Sequence, residues 1–215
     1  MPDDTSHGMF HVKHTAPGDA GITPAIAARL DRFVQLLLRW NPRINLVARG
    51  DEAELWHRHI LDSAQLAPLL PDPVGDLIDL GSGAGFPGLI LALLTEWRVH
   101  LVEADHRKAA FLREAIRETG ATAIVHAARA EALSIAPGRV VTARALAPLA
   151  TLLDLAQPLL APDGICVLPK GRGVEDELTA AAGEWHMRVE RFPSRTSPGA
   201  TILRISEIQR AGPRS

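Results

Sequence analysis

The chain has 215 residues, 47% hydrophobic and 22% charged, with 23 basic against 25 acidic side chains and a net charge of −2. That suits one domain with an appendage, able to bury its core without disulfides or metals, and gross charge predicts no polyanion partner. Cys166 is the only cysteine, which excludes an internal disulfide and cysteine-based metal clusters, and no run approaches the roughly 20 apolar residues of a membrane span.

Residues 1–21 read as a polar leader with no signal-peptide pattern, so a cytosolic protein is expected. Thr23-Pro24 then looks like a helix start, with Thr as N-cap and Pro at the first helical position. Ile26, Leu30, Phe33, Val34, Leu37 and Leu38 recur at helical spacing, and Asn41-Pro42 is expected to end that helix. A second helix is expected from about Asp51 to Leu70, with Leu55, Ile60, Leu66 and Leu69 in the core. Pro71-Asp72-Pro73 marks a boundary between a helical extension over 22–71 and a domain over 72–215.

Beyond Pro73, short apolar runs alternate with helical stretches. Strands are predicted at Leu77–Leu80, Val99–Glu103, Ala123–His126, Val140–Ala143 and Ile165–Leu168. Helices are predicted at Pro87–Thr95, His106–Thr119 and Leu149–Leu160, with a turn near Arg129–Leu133. This alternation is the mark of an α/β fold with a parallel sheet covered on both faces. Met187–Phe192 and Thr201–Ile205 follow with no helix between them, so an antiparallel hairpin should close the sheet.

The most informative stretch is Asp79-Leu80-Gly81-Ser82-Gly83-Ala84-Gly85-Phe86-Pro87-Gly88. A buried strand enters a glycine turn, whose backbone can take positive φ and approach a ligand, and a helix N-terminus follows. Gly83, Gly85 and Gly88 fit a dinucleotide pattern. Asp79, Gly81, Gly83 and Gly85 fit the acidic-x-G-x-G-x-G pattern of enzymes that use S-adenosylmethionine. The second reading is preferred, because Asp79 late in the strand would meet a cationic amino group but repel a pyrophosphate. The helices in front of the strand also argue against a dinucleotide domain. Glu103, eighteen residues after Gly85, is the expected ribose acceptor under either reading. Glu131 in Ala128-Arg129-Ala130-Glu131 falls where an adenine edge would lie.

The fourth strand ends in Thr142-Ala143-Arg144-Ala145-Leu146-Ala147-Pro148, without the Asn/Asp-Pro-Pro-aromatic edge of amino-group methyltransferases. Cys166 lies in an apolar strand and is expected to be inert, which disfavours cytosine C5 chemistry. His57 and His59, two apart on a helix, do not face each other as metal ligands would, and no metal is expected. An acceptor that needs no deprotonation remains, and guanine N7 is one. Arg144 at the strand edge would then position the guanine or the cofactor carboxylate, or else only pair with an acid.

Several separated motifs carry a family resemblance. They are Trp40-Asn41-Pro42-Arg43-Ile44-Asn45-Leu46, His59-Ile60-Leu61-Asp62-Ser63, the glycine segment through Gly88, Arg144-Ala145-Leu146-Ala147 and Pro169-Lys170-Gly171. In order and spacing the chain resembles the bacterial 16S rRNA small-subunit methyltransferase G family, also called glucose-inhibited division protein B. The resemblance implies a class I S-adenosylmethionine-dependent methyltransferase fold with a seven-stranded sheet. It further implies a monomeric enzyme that methylates guanine N7 in the 530 loop of 16S rRNA, free or in the small ribosomal subunit. By resemblance the cofactor is held around Gly81, Ser82, Gly83, Gly85 and Phe86, its adenosine by Glu103, Ala130 and Glu131, with Arg144 lining the site. A cofactor-binding ribosome-assembly factor and an NAD-type oxidoreductase are the competing readings. From His186 onward six arginines stand against two glutamates, so the C-terminal end is expected to face RNA. Arg39, Arg43, Arg49 and Arg58 offer the alternative surface.

Overall fold

The computed structural model describes residues 21–212 apart from Arg49 and Asp51. The leader up to residue 20, the start of the second expected helix at Asp51, Arg49 and Arg214 therefore lie outside the described residues.

Helix α1 (Pro24–Ile44) begins as its sequence dictates, with Thr23 Oγ1 accepting from the Ile26 amide at 3.3 Å. Leu30, Phe33, Val34 and Leu37 are buried, whereas Leu38 is on the exposed side. The helix does not stop at Asn41-Pro42 but runs one further turn to Ile44, capped by Asn45 at φ 49°. The buried Asn41 side chain explains the extension. Its Oδ1 accepts from the amides of Leu46 and Val47 at 2.8 and 3.0 Å, so it organises the exit that Pro42 alone would have ended.

The second expected helix is instead broken. It comprises a 3-10 turn (Glu52–Glu54), a π-helical stretch (Trp56–Leu61), the short α2 (Asp62–Ala64) and a 3-10 turn at Ala67–Leu69. Leu55 and Ile60, five residues apart, are both buried, and only the wider π winding aligns residues at that spacing. Ser63 Oγ also donates to the His59 carbonyl at 2.6 Å. Leu66 is buried as expected, and Leu69 only partly.

The rest alternates strand and helix: β1 (Asp76–Leu80), α3 (Gly88–Leu94), β2 (Arg98–Val102), α4 (His106–Thr119), β3 (Ala123–His126), β4 (Gly138–Ala143), α5 (Leu149–Ala156) and β5 (Leu160–Lys170). Then come α6 (Val174–Ala182), β6 (Trp185–Pro193) and β7 (Thr201–Arg210). Helix α6 is absent from the expectations above, although Val174, Leu178 and Ala181 are buried at helical spacing behind an acidic first turn. The sheet order is β3-β2-β1-β4-β5-β7-β6, with β1 to β5 parallel and β7 antiparallel to both its neighbours. The mostly parallel seven-stranded sheet with its terminal hairpin is thus as expected.

Alternate strand residues feed two cores. Leu77, Val99, Leu101 and Val140 join α1, α3 and α4, while Ile78, Leu80, Val141 and Cys166 join α5 and α6. Helix α1 and the broken segment share the first core with the sheet. β1 lies between β2 and β4, so the chain reverses its direction of travel across the sheet there. Ligands of open α/β sheets sit beyond the strand ends at such a switch point.

Candidate active site

Several strand ends converge at the switch point. Gly81, Gly83, Val102, Glu103, Ala104, Lys108, Ala128–Glu131, Arg144, Leu146 and Leu155 line a cavity of about 330 Å³. The turn that floors it holds Gly81, Gly83 and Gly85 at positive φ. A Cβ at Gly83 would meet nothing nearer than the Gly81 carbonyl at 3.8 Å, so the backbone there faces open space. Glu103 spans the turn: Oε2 accepts from the Gly83 amide at 2.8 Å and Oε1 from the Asp105 amide at 2.7 Å. Each oxygen keeps lone pairs for a further donor such as a hydroxyl. Glycine backbone open to close approach, a fixed carboxylate and the Ala130–Glu131 rim suit a nucleoside with a polar tail.

Not every expected residue lines this cavity. Gly81, Gly83, Glu103, Ala130, Glu131 and Arg144 do, but Asp79, Ser82, Gly85 and Phe86 lie behind the turn. Asp79 departs furthest from the expectation that it would meet a cationic amino group. Its side chain is fully buried, with Oδ1 accepting from Thr142 Oγ1 at 2.8 Å. Burial pushes its carboxyl up to about 6, against weaker downward pulls from Ser82, Thr142, the Gly88 amide and Arg144. The close packing of Gly88 on Asp79 draws the acid inward: a Cβ at Gly88 would lie 2.6 Å from Asp79 Oδ2. Ser82 is buried too, its Oγ donating to the Asp79 carbonyl at 3.0 Å.

Arg144, Ala145 and Leu146 also form one wall of a second cavity of about 470 Å³, lined on its other sides by Asp62, Pro169, Lys170, Glu177, Ser194, Ser197 and Thr201. Ala145 at φ 52° turns Leu146 back over Gly81. Two charged pairs line the second cavity. Lys170 Nζ lies 2.6 Å from Glu177 Oε2, which also accepts from the Leu149 amide at the start of α5. Arg144 Nη1 lies 3.5 Å from Asp62 Oδ2, Nη2 lies 2.9 Å from His59 Nδ1, and the guanidinium sits 5.1 Å from the centre of the Phe86 ring. Phe86 is stacked on the His59 ring, centroids 5.0 Å apart.

The broken helical segment therefore contributes residues that the sequence reading did not assign to the site. Asp62 Oδ1 accepts from Gln65 Nε2 and Thr196 Oγ1, and Gln65 Oε1 accepts from the Arg195 amide. These bonds tie residues 62–65 to the β6–β7 turn. The HILDS run carried the resemblance, yet nothing in its spacing said that it would reach Arg144. Cys166 is buried among apolar neighbours, and its thiol is pushed up to about 12 by that burial, so it is inert as expected. Among the described residues no group of three acidic, His or Cys side chains could hold a metal.

Comparisons with known proteins agree with this architecture. M. jannaschii TYW2, solved in complex with AdoMet, superposes with a TM-score of 0.58 at 14% identity, covering 79% of this chain and 80% of that one. A ribosomal protein L11 methylase from Lactobacillus delbrueckii gives 0.56 at 16% identity over 68% and 76%. These likenesses establish the fold of class I methyltransferases. Among curated proteins, the ribosomal RNA small subunit methyltransferase G of Rhodospirillum centenum is 56% identical over 192 residues, 89% of each chain. That of Granulibacter bethesdensis is 51% identical over 212 residues, 94% of this chain and all of its own. The family model described as rRNA small subunit methyltransferase G matches residues 26–198, from α1 through the β6–β7 turn that closes the second cavity. With that span and those identities, the chain belongs to the rRNA small subunit methyltransferase G family.

Proposed function

We propose that this protein transfers the methyl group of S-adenosylmethionine to N7 of a guanine in the 530 loop of small-subunit rRNA. The observation that carries the reading is the pair of cavities sharing the Arg144–Leu146 wall. In this reading the glycine-floored cavity takes the cofactor and the larger one takes the base. Residues 72–215 form the methyltransferase domain, and 22–71 form an extension that completes the acceptor side.

The cofactor supplies an electrophilic methyl on a sulfonium. Glu103 accepts from ribose hydroxyls, the Gly81–Gly83 backbone lets the ligand lie close, and the Ala130–Glu131 edge meets the adenine. Both carboxylates lining the acceptor cavity are already engaged, Asp62 by Arg144 and Thr196, Glu177 by Lys170. Both are held by cation partners rather than aimed as an unpaired base, which suits an acceptor nitrogen that carries a lone pair and no proton. Transfer then needs alignment and charge placement rather than a general base. Arg144, facing both cavities, orients the acceptor or the cofactor carboxylate by charge-assisted hydrogen bonds.

The test is methyl transfer to small subunits from a strain lacking this protein, with the product base mapped by mass spectrometry. N7-methylguanine in the 530 loop supports the reading. Methylation of another base or atom overturns the assignment. Cofactor and rRNA binding without transfer would favour an assembly factor.

A further inference from the structure

Resting on that reading of Arg144, we propose that His59 is a positioning residue for methyl transfer, holding the Arg144 guanidinium as a neutral hydrogen-bond acceptor. The chemistry of the contact fixes the direction. Guanidinium carries only donors, so the 2.9 Å contact from Arg144 Nη2 makes His59 Nδ1 the acceptor and leaves the ring proton on Nε2. Either a protonated ring or the opposite tautomer would turn an N–H toward the guanidinium.

The rest of the arrangement restricts both partners. His59 is stacked on Phe86, with an interplanar angle of 20°, and the Arg144 guanidinium lies over that same ring. Phe86 in turn sits edge-on to Phe33 of α1 at 5.6 Å, which anchors the stack in the core. Arg144 Nη1 points at the Arg58 carbonyl at 3.3 Å and at Asp62 Oδ2. One turn of the broken segment thus supplies three acceptors to one guanidinium. Arginine is long and rich in rotamers, and alone at a strand end it would sample many orientations. Arg58 and His59 lie within the π-helical stretch Trp56–Leu61 and Asp62 directly follows it, and such winding recurs at functional sites.

The experiment compares His59→Phe, which keeps a ring over Phe86 but has no acceptor, with His59→Asn, whose Oδ1 stands at the same bond distance from Cβ as Nδ1. Steady-state methyl transfer on small subunits is measured for both, and for Arg144→Ala with and without His59→Phe. His59→Phe should lower turnover by about ten- to a hundredfold, the scale of a misplaced catalytic group. The loss should follow the same split between kcat and KM as Arg144→Ala. His59→Asn should recover most of it, and His59→Phe should add nothing once Arg144 is gone. Full activity of His59→Phe, or additive losses in the double variant, overturns the proposal. If Arg144→Ala is itself fully active, the reading of Arg144 fails and this inference with it. Should His59→Phe not fold, His59→Leu carries the same contrast. Nitrogen-15 NMR of the native imidazole gives a readout independent of turnover: a proton on Nε2 is expected at neutral pH, and one on Nδ1 overturns the assignment.

Discussion

Gly83 in the turn and Gly88 at the start of α3 stand five residues apart, yet substitution should fail in them for opposite reasons. A Cβ on Gly83 enters open space, so Gly83→Ala should fold, with the left-handed φ costing about 1–2 kcal/mol. The methyl would occupy the approach of the ligand, so calorimetry should find cofactor affinity largely abolished. A Cβ on Gly88 would stand 2.6 Å from Asp79 and Leu101, so Gly88→Ala should damage folding itself, seen as a markedly lower melting temperature. Asp79 carries a prediction of its own. Its carboxyl titrates at about 6 when folded against an ordinary value of 3.8, so the folded state holds a proton that the unfolded state has released between those values. Stability from this group is therefore lost as pH rises through that window, and at neutral pH its ionised burial costs about 3 kcal/mol. Relative to the wild type, Asp79→Asn should gain about that much stability between about pH 4 and pH 7 in denaturant titrations. A constant difference would mean that burial does not raise the acid. The strand-turn-helix pattern made Asp79 conspicuous in the sequence, but the pattern does not say which way a strand-end side chain turns. That depended on how closely Gly88 packs against it.

At the scale of elements, the Asp62–Gln65 turn acts as a clamp on the β6–β7 hairpin. Gln65 is buried and meets Asp62, Ser194, Thr196 and the Arg195 amide. Gln65→Ala removes these bonds at once and leaves the Arg195 amide without this acceptor. A loss of about 1–3 kcal/mol is expected, the usual cost of deserting partly buried polar groups. Because the clamp shapes the acceptor cavity and not the glycine turn, KM for small subunits should rise while cofactor affinity holds. An unchanged KM with the same stability loss would make the clamp purely structural. The parallel strands and the helices between them were legible because a two-faced apolar run has few alternatives. The segment over residues 52–69 was not, because its apolar spacing mixes steps of different length and follows no single helical period. The run past Pro42 was equally hidden, since it depends on an asparagine side chain capping from inside the helix. Helix α6 did carry its signal, an acidic first turn with Val174, Leu178 and Ala181 in phase.

Across the whole molecule, the structure redirects the search for the RNA surface. The C-terminal arginines looked like a basic end, but most are neutralised in place. Arg188 pairs with Glu207, Arg191 with Glu175, Arg204 with Glu190, and Arg210 with Asp154 and Glu184. Among the described residues Arg39 and Arg43, exposed near the end of α1, make no ion pair. Changing Arg188, Arg191 and Arg210 to Gln should thus leave the salt dependence of rRNA binding unchanged. Changing Arg39 and Arg43 should flatten it by roughly 0.7–0.9 for each phosphate that is no longer neutralised. The reverse outcome would return the RNA to the hairpin. The clamp has one more consequence, for the order in which the protein can come into being. Its bonds join positions 129 to 134 residues apart, Asp62 and Gln65 on one side and Ser194, Arg195 and Thr196 on the other. During synthesis the glycine turn and its neighbouring strands emerge long before residue 194, whereas the wall of the acceptor cavity cannot exist until the hairpin has left the ribosome. A nascent chain stalled before that point would offer the glycine-floored cavity without the larger one beside it.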